Sequence, residues 1–245
     1  MEADEFPRVT VRQLARAERT CPRRLELDHR GNRANRGANR GFRVASQIEA
    51  DARLAHARLA VPRAEHFRPT DDLFPEERRV FETAAAWYVA LFGDQPMVVA
   101  DTETHDFETI AVRTGVRLVG GAGLALESGD GRRELRLLSI GNRATEELLD
   151  SPSARFAMLR RPAWTRLGPL RIVRVDLLGG WSIGEETDGL AIWDDLRDWL
   201  VERVEVIGRV ADRRAPRAGW ECARCPYIAG CSALRPGPPG HEDRA

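Results

Sequence analysis

Three cysteines near the end of the chain and one near its beginning constrain the fold more than any other feature of the sequence. Cys222, Cys225 and Cys231 follow the spacing C-x2-C-x5-C, whereas Cys21 is separated from them by about two hundred residues. Thiolates are soft ligands, and four of them suit zinc or an iron–sulfur cluster. Zinc ribbons and fingers usually take their ligands as two short-range pairs. A centre shared by these four cysteines would instead join distant segments of the chain.

A centre shared by Cys21 and Cys222 would act on the fold as a cross-link does. Closing a loop of that length removes roughly 5 kcal/mol of conformational freedom from the unfolded chain, and a whole domain is stable by only about 5–15 kcal/mol. We therefore expect loss of the centre to loosen the fold. Cysteines in a cytosolic protein favour metal binding, but spacing alone leaves iron–sulfur, zinc, disulfides and free thiols as alternatives.

All basic residues of the chain are arginines. The 245 residues can bury one good core, and 38 basic against 38 acidic residues leave no net charge that would indicate a partner. The absence of lysine excludes a Schiff base, a phosphate-loop lysine and a catalytic lysine. The charged N-terminal segment lacks an apolar signal-peptide core, and no later segment approaches eighteen apolar residues, so we expect a cytoplasmic protein without a membrane span.

Hydrophobic periodicity and turn residues predict one α/β domain over residues 10–234, between tails at 1–9 and 235–245, the second of them disordered. Helices are predicted at residues 10–20, 44–59, 75–92, 151–161 and 187–206. Strands are predicted at residues 97–100, 116–126, 135–140 and 170–178 and from 181 onward, with hairpin turns at 128–131 and 179–180. The apolar face of the helix at 75–92, which includes Trp87 and Tyr88, is expected in the core.

An arginine-dense segment follows the first cysteine. Its middle, residues 30–41, is rich in Arg, Asn and Gly and has no periodic apolar residue, so it predicts a mobile loop. Arginine with asparagine and glycine suits contact with phosphate; a solvated loop without a partner is the alternative. The candidate nucleic-acid-binding residues are Arg23, Arg24, Arg30, Arg33, Arg36 and Arg40.

The motifs Cys21-Pro22-Arg23-Arg24 and Cys222-x2-Cys225-Pro226-x4-Cys231 resemble those of the iron–sulfur branch of the PD-(D/E)XK nucleases. This branch includes RecB-type and AddB-type exonuclease domains and the CRISPR-associated adaptation nucleases. The order of elements from residue 10 to 234 also fits. The resemblance implies a central mixed sheet flanked by helices. It also implies a [4Fe–4S] cluster, with zinc as the alternative cofactor, that Cys21, Cys222, Cys225 and Cys231 hold and that joins the two ends of the domain beside DNA.

The resemblance also implies where metal-dependent cleavage would occur, and there the sequence departs from the family. Carboxylates that hold Mg²⁺ and a lysine carry out the chemistry. The family places a His in the first helical region, an Asp in a Gly-x-x-Asp strand, an Asp/Glu-x-Lys pair across the hairpin, and Gln and Tyr on the next helix. The corresponding positions are Ala45, Gly123, Ser139 and Gly141, with residues 156–160 in place of the Gln/Tyr helix. We expect no catalytic residue and no Mg²⁺ at these positions.

Two acidic sets could hold relocated metal ligands. Glu134 forms an E-x-R sequence with Arg136, an arginine that could replace lysine as a stabiliser of charge, and Glu127 and Asp130 are nearby. A solvated hairpin tip is the simpler interpretation of all three carboxylates. The second set consists of Asp101, Glu103, His105 and Asp106, for which a loop or an exposed strand end is the simpler interpretation.

We therefore predict a catalytically inactive nuclease-like iron–sulfur protein that binds single- or double-stranded DNA without sequence specificity. It would act in DNA repair, recombination or defence, alongside a helicase or nuclease subunit. Further phosphate contacts are expected either from Arg132 and Arg133 or from Arg213, Arg214 and Arg217. The alternatives are an active Mg²⁺- or Mn²⁺-dependent exonuclease with relocated ligands and a protein scaffold without affinity for DNA.

Overall fold

The computed structural model describes residues 8–11, 36–59, 61–100, 117–119, 123–141 and 147–211. The helices among these residues are α1 (Arg36–Leu59), α2 (Pro75–Phe92), α3 (Pro152–Leu159), α4 (Pro162–Thr165) and α5 (Trp193–Ala211), with a short 3-10 helix at Ala64–His66. The strands are β1 (Arg8–Thr10), β2 (Met97–Val99), β3 (Arg117–Val119), β4 (Leu124–Ser128), β5 (Arg133–Ser139), β6 (Pro169–Asp176) and β7 (Trp181–Asp188).

Five of the strands form one mixed sheet in the order β2-β4-β5-β6-β7. β4 runs antiparallel to both β2 and β5, β5 runs parallel to β6, and β7 returns antiparallel to β6. The start of β4 lies on the side of the sheet toward which β5 and β6 run: Leu124 pairs with Arg136 in the middle of β5, and Ser139 at the end of β5 pairs with Asp176 at the end of β6. We call this part of the molecule the sheet end. β1 and β3 form a separate parallel pair.

Helices cover both faces of the five-stranded sheet, as the sequence predicts. One core lies between the sheet and α1 and α2, and includes Ile48, Phe81, Tyr88, Leu124 and Val175. The other lies between the sheet and α3, α4 and α5, and includes Leu135, Phe156, Trp164, Ile172 and Leu196. The central strand β5 is therefore buried on both of its faces. The predicted mixed sheet flanked by helices is confirmed.

α2 begins and ends at the residues predicted from its sequence. Pro75 occupies the first turn, where its missing N–H costs nothing, and the carboxylate of Glu77 accepts a hydrogen bond from the backbone N–H of Phe74 at 3.0 Å. Tyr88 is fully buried as expected, but Trp87 is 40% exposed. The placement of Trp87 in the core is wrong because this side chain lies against Gly180, in the turn between β6 and β7.

Two helices differ from their predicted bounds at the start. α1 begins at Arg36, so residues 36–41 of the predicted mobile loop are helical, while residues 30–35 lie outside the described residues. A Cβ at Gly41 would lie 3.6 Å from the Cβ of Ile140, so the early part of α1 packs against the sheet end. α5 begins at Trp193 and not at residue 187, because residues 187 and 188 complete β7. The Asp188 carboxylate accepts hydrogen bonds from the backbone N–H groups of Leu190 at 2.9 Å and Ala191 at 3.2 Å.

Other differences concern the first half of the chain. The single strand predicted at residues 116–126 is divided between β3 and β4, which belong to different sheets. Of the helix predicted at residues 10–20, only the first two residues are described, and the first of them belongs to β1. The two predicted tails, apart from residues 8 and 9, lie outside the described residues. None of the described helices is both long and apolar enough to span a membrane.

Candidate functional site

The positions at which the resembled family carries its catalytic groups lie around the sheet end. Gly123 precedes β4, Ser139 ends β5, and Gly141 lies two residues beyond the end of β5. Ala45 lies one turn of α1 beyond Gly41, the residue that packs against Ile140. In α/β sheets, ligands commonly bind beyond the carboxyl ends of parallel strands, which is where β5 and β6 end here. The sheet end is therefore the candidate functional site.

Gly123 has a backbone conformation that disfavours any side chain. Its φ is +64°, and a Cβ would lie 2.9 Å from the carbonyl oxygen of Arg136 and 3.0 Å from Cδ2 of Leu137. Both the left-handed conformation and this close approach favour glycine. An aspartate at position 123 would require β4 or β5 to move.

Two arginines converge on the carbonyl oxygen of Gly123. Arg53 of α1 donates a hydrogen bond from Nη2 at 3.2 Å, and Arg161, in the connection from α3 to α4, donates from Nη2 at 2.9 Å. α1 and the helices on either side of Arg161 pack on opposite faces of the sheet. The Arg161 residue is only 1% exposed, whereas the Arg53 side chain is 40% exposed. Arg53 is therefore the member of the pair that a dissolved ligand can reach.

Glu49 adds a carboxylate to the two arginines, and its Oε1 lies 3.5 Å from Nη2 of Arg53. Burial raises the pKa of Glu49, and this effect outweighs the lowering by Arg53, Arg161 and Arg160. Burial also lowers the pKa of Arg161 to about 10, and repulsion from Arg53 adds to this lowering. We call Glu49, Arg53, Arg160 and Arg161 the arginine cluster, in which Arg53 and Arg161 donate to the Gly123 carbonyl and all three arginines act on the charge of Glu49. Three guanidinium groups and one carboxylate give it a positive potential.

The carboxylate of Asp176, at the end of β6, is used within the backbone. Its Oδ1 accepts hydrogen bonds from the backbone N–H groups of Gly141 at 2.9 Å and Leu178 at 3.0 Å. The neighbouring Ser139 hydroxyl donates to the carbonyl of Val175 at 2.9 Å. Asp176 therefore fixes the segments that leave β5 and β6.

Glu134 is not part of a solvated hairpin tip, so that interpretation is wrong for this residue. It is 1% exposed and forms a buried ion pair with Arg136, because alternate residues of the central strand face the core under α1 and α2. Asp130, by contrast, is exposed in the turn. Glu127 is half-buried and accepts a hydrogen bond from Nε1 of Trp164 at 2.7 Å.

Arg136 is the centre of a buried polar network. Its guanidinium donates to the Tyr88 hydroxyl at 3.1 Å and to the Gln95 side-chain oxygen at 3.3 Å. His56 lies beside them, with Nδ1 2.8 Å from the carbonyl of Met97, which can only accept, so Nδ1 carries the proton. Nε2 then accepts from Tyr88 at 3.1 Å. Burial raises the pKa of Tyr88 to about 12, so its hydroxyl stays neutral.

One predicted DNA-contacting arginine is unavailable. Arg133 is buried and donates hydrogen bonds to the carbonyls of Trp164 and Pro169, the latter at 2.7 Å. The prediction for this residue is therefore wrong, because its guanidinium is used to join β5 to the segment before β6. Arg132 is exposed at the hairpin turn, and the backbone of Arg36 and Arg40 lies in α1. Arg23, Arg24, Arg30, Arg33, Arg213, Arg214 and Arg217 lie outside the described residues.

The predicted metal ligands cannot be compared with the structure. Cys21, Cys222, Cys225 and Cys231, and the acidic set Asp101, Glu103, His105 and Asp106, all lie outside the described residues. Within the described part of the chain, no group of three or more His, Cys, Asp or Glu side chains is arranged to hold a metal ion.

Sequence reasoning missed Glu49, Arg53, Arg161 and Asp176. Glu49 and Arg53 are four residues apart in a predicted helix, a spacing that allows an ion pair, and this was the available signal. Arg161 follows the end of a short helix, but no local pattern indicates that its side chain turns toward Gly123. The buried role of Asp176 depends on the parallel pairing of β5 with β6, which the sequence does not specify.

No protein-family model matches the chain, and no curated protein matches it. Its function is therefore inferred from its own residues.

Proposed function

We propose that this chain is a catalytically inactive nuclease-like protein that binds DNA without sequence specificity. The observation that carries the proposal is the convergence of Arg53 and Arg161 on the Gly123 carbonyl. In the resembled family this position carries a carboxylate that holds a catalytic metal ion. Here it is a glycine without room for a side chain, and two guanidinium groups donate to its carbonyl.

The charge of the arginine cluster supports binding of phosphate and opposes binding of Mg²⁺. Mg²⁺ takes oxygen ligands, usually including one or two carboxylates, and the nearby Asp176 oxygen is already occupied by backbone N–H groups. Guanidinium groups bind phosphate oxygens and repel cations. The partly exposed Arg53 would contact the DNA backbone, and Arg23, Arg24, Arg30, Arg33, Arg36 and Arg40 would extend the contact surface. Contacts of this kind carry no sequence information.

The cofactor in this proposal is a [4Fe–4S] cluster bound by Cys21, Cys222, Cys225 and Cys231. Four thiolates are the usual ligand set of such a cluster. Its role would be to join the two ends of the nuclease-like domain, which would keep the DNA-binding surface rigid. A helicase or nuclease subunit in repair, recombination or defence would supply the catalytic activity.

A gel-shift titration on single- and double-stranded DNA tests the proposal. We expect retardation of DNA of unrelated sequences with similar affinities, and a steep loss of affinity as salt is raised. Arg53→Gln should weaken binding and lower the slope of log K against log salt by about one. Arg197→Gln is the matched control, because Arg197 is an exposed arginine on α5. Absence of binding by the wild-type protein at low salt would overturn the proposal.

A further inference from the structure

Arg53 already has an anionic neighbour within its own helix. Its Nη2 atom lies 3.5 Å from Glu49 Oε1 and donates to the Gly123 carbonyl at 3.2 Å. The Glu49 side chain is 24% exposed, against 40% for Arg53. Any phosphate that approaches Arg53 from solvent therefore meets a guanidinium that is partly neutralised by Glu49.

We propose that Glu49 competes with DNA for Arg53. The Glu49 carboxylate holds the Arg53 guanidinium until a phosphate of the DNA backbone takes the place of the carboxylate. This inference rests on the proposed function of sequence-independent DNA binding and adds a regulatory residue to it. Arg161 also donates to the Gly123 carbonyl, so this oxygen keeps a partner when Arg53 leaves it. The exchange therefore requires only that the Arg53 side chain turn from one anion to another.

Protonation of Glu49 should have the same effect as its displacement. The charged or titratable groups that face Glu49 are Arg53 on its own helix, Arg160 and Arg161 after α3, and Tyr88 on α2. Arg161, whose pKa is lowered to about 10, keeps its charge near neutral pH, and Tyr88, whose pKa is raised to about 12, stays neutral. Because burial raises the pKa of Glu49, Glu49 takes up its proton at a higher pH than an ordinary glutamate. DNA affinity should accordingly rise as the pH falls.

A double-mutant cycle on the full, cofactor-replete chain tests the competition. Fluorescence anisotropy with a labelled duplex at fixed low salt gives the dissociation constants of the wild type, Glu49→Gln, Arg53→Gln and the double variant at pH 5.5 and 7.5. We expect Glu49→Gln to raise affinity about fivefold at pH 7.5, by releasing a partly exposed ion pair. The gain should be smaller at pH 5.5 and absent in the Arg53→Gln background.

The control is Glu82→Gln, which makes the same change in net charge at an exposed position of α2. If the wild type binds DNA and Glu49→Gln behaves like Glu82→Gln, the competition is overturned and the proposed function stands. The competition is also overturned if the gain persists without Arg53. If the wild type does not bind DNA, both proposals fail. Urea denaturation of each variant shows that it is folded.

Discussion

The guanidinium carbon of Arg136 lies 3.7 Å from the centroid of the Phe92 ring, in the core between the sheet and α2. Arg136 is fully buried, and its charge is balanced by Glu134 two residues earlier on the central strand. A buried ion pair contributes little net stability, but removal of one partner leaves an uncompensated charge in the core. We therefore expect the Glu134–Arg136 pair to favour this position of β5 under α2 over alternatives that separate the two charges.

Arg136→Met should lower the free energy of unfolding by about 3–5 kcal/mol, because the buried Glu134 would lose its close partner and keep only Arg171, whose Nη1 lies 3.9 Å from Glu134 Oε2. Urea denaturation followed by circular dichroism measures the change. Arg132→Met, at the exposed hairpin turn, is the matched control, with an expected change within about 0.5 kcal/mol. The double variant Glu134→Leu/Arg136→Met should be less destabilised than Arg136→Met alone. Additive losses in the double variant would contradict the buried pair.

Alanine substitutions at three glycines distinguish the loss of stability caused by backbone conformation from the loss caused by close packing. Gly131→Ala introduces a side chain at φ +82° in open space, so we expect a loss of about 1–2 kcal/mol. Gly123→Ala adds the close contact with the Arg136 carbonyl to the same conformational cost, so we expect a loss of about 3 kcal/mol or more. Gly129→Ala meets nothing within 4 Å and should change stability by less than about 0.5 kcal/mol. Equal losses at 123 and 131 would show that the sheet end has room for an aspartate.

Relative to the wild type, Glu49→Gln should have a higher free energy of unfolding at pH 7 than at pH 4. The folded-state pKa of Glu49 lies above its ordinary value, chiefly because burial disfavours the ionised carboxylate. The folded state therefore binds more protons than the unfolded state in this pH window, and wild-type stability falls as the pH rises through it. Glutamine does not ionise, so the variant lacks this part of the fall.

The measurement for Glu49 is the difference in unfolding free energy between variant and wild type, from urea curves at several pH values. It should become more favourable to the variant as the pH rises above about 4. Glu82→Gln, on the exposed surface of α2, serves as the comparison. A difference that stays constant with pH would show that Glu49 has no raised pKa.

The elements predicted correctly from the sequence are those whose ends are marked by a proline or by turn residues. Pro75 marks the start of α2, and the Gly/Asp turn at residues 128–131 separates β4 from β5. α1 could not be placed correctly, because its first turns lack apolar periodicity and are helical where Gly41 approaches Ile140. The Glu134–Arg136 pair looks like a surface sequence. Only the position of β5 in the middle of the sheet makes it buried.

The place of the candidate site rests on the family resemblance and stays a prediction, whereas the side chains found there were not predicted. The alignment with the resembled family pointed to Gly123, Ser139 and Gly141, and all three lie at the sheet end. The groups that now define its chemistry, Arg53 and Arg161, come from α1 and from the connection between α3 and α4, helices that pack on opposite faces of the sheet. Side-chain convergence of this kind depends on packing across layers, which sequence spacing does not encode.

The cysteines provide a prediction about both colour and stability. Protein purified without oxygen should be brown and contain about four iron atoms per chain, and Cys231→Ser should lose iron. Loss of a link between the two chain ends should lower the unfolding free energy by roughly 5 kcal/mol. Visible absorption, iron analysis and thermal unfolding measure these properties. A colourless protein with one zinc ion per chain would contradict the iron–sulfur assignment.

Incubation of labelled duplex DNA with cofactor-replete protein and Mn²⁺, followed by native and denaturing gels of the same sample, tests the central proposal most directly. We predict that the DNA is retarded on the native gel and remains full-length on the denaturing gel after long incubation. DNA that is shortened in a Mn²⁺-dependent manner would show that the protein is an active nuclease, and DNA that is neither retarded nor cut would show that it does not bind DNA.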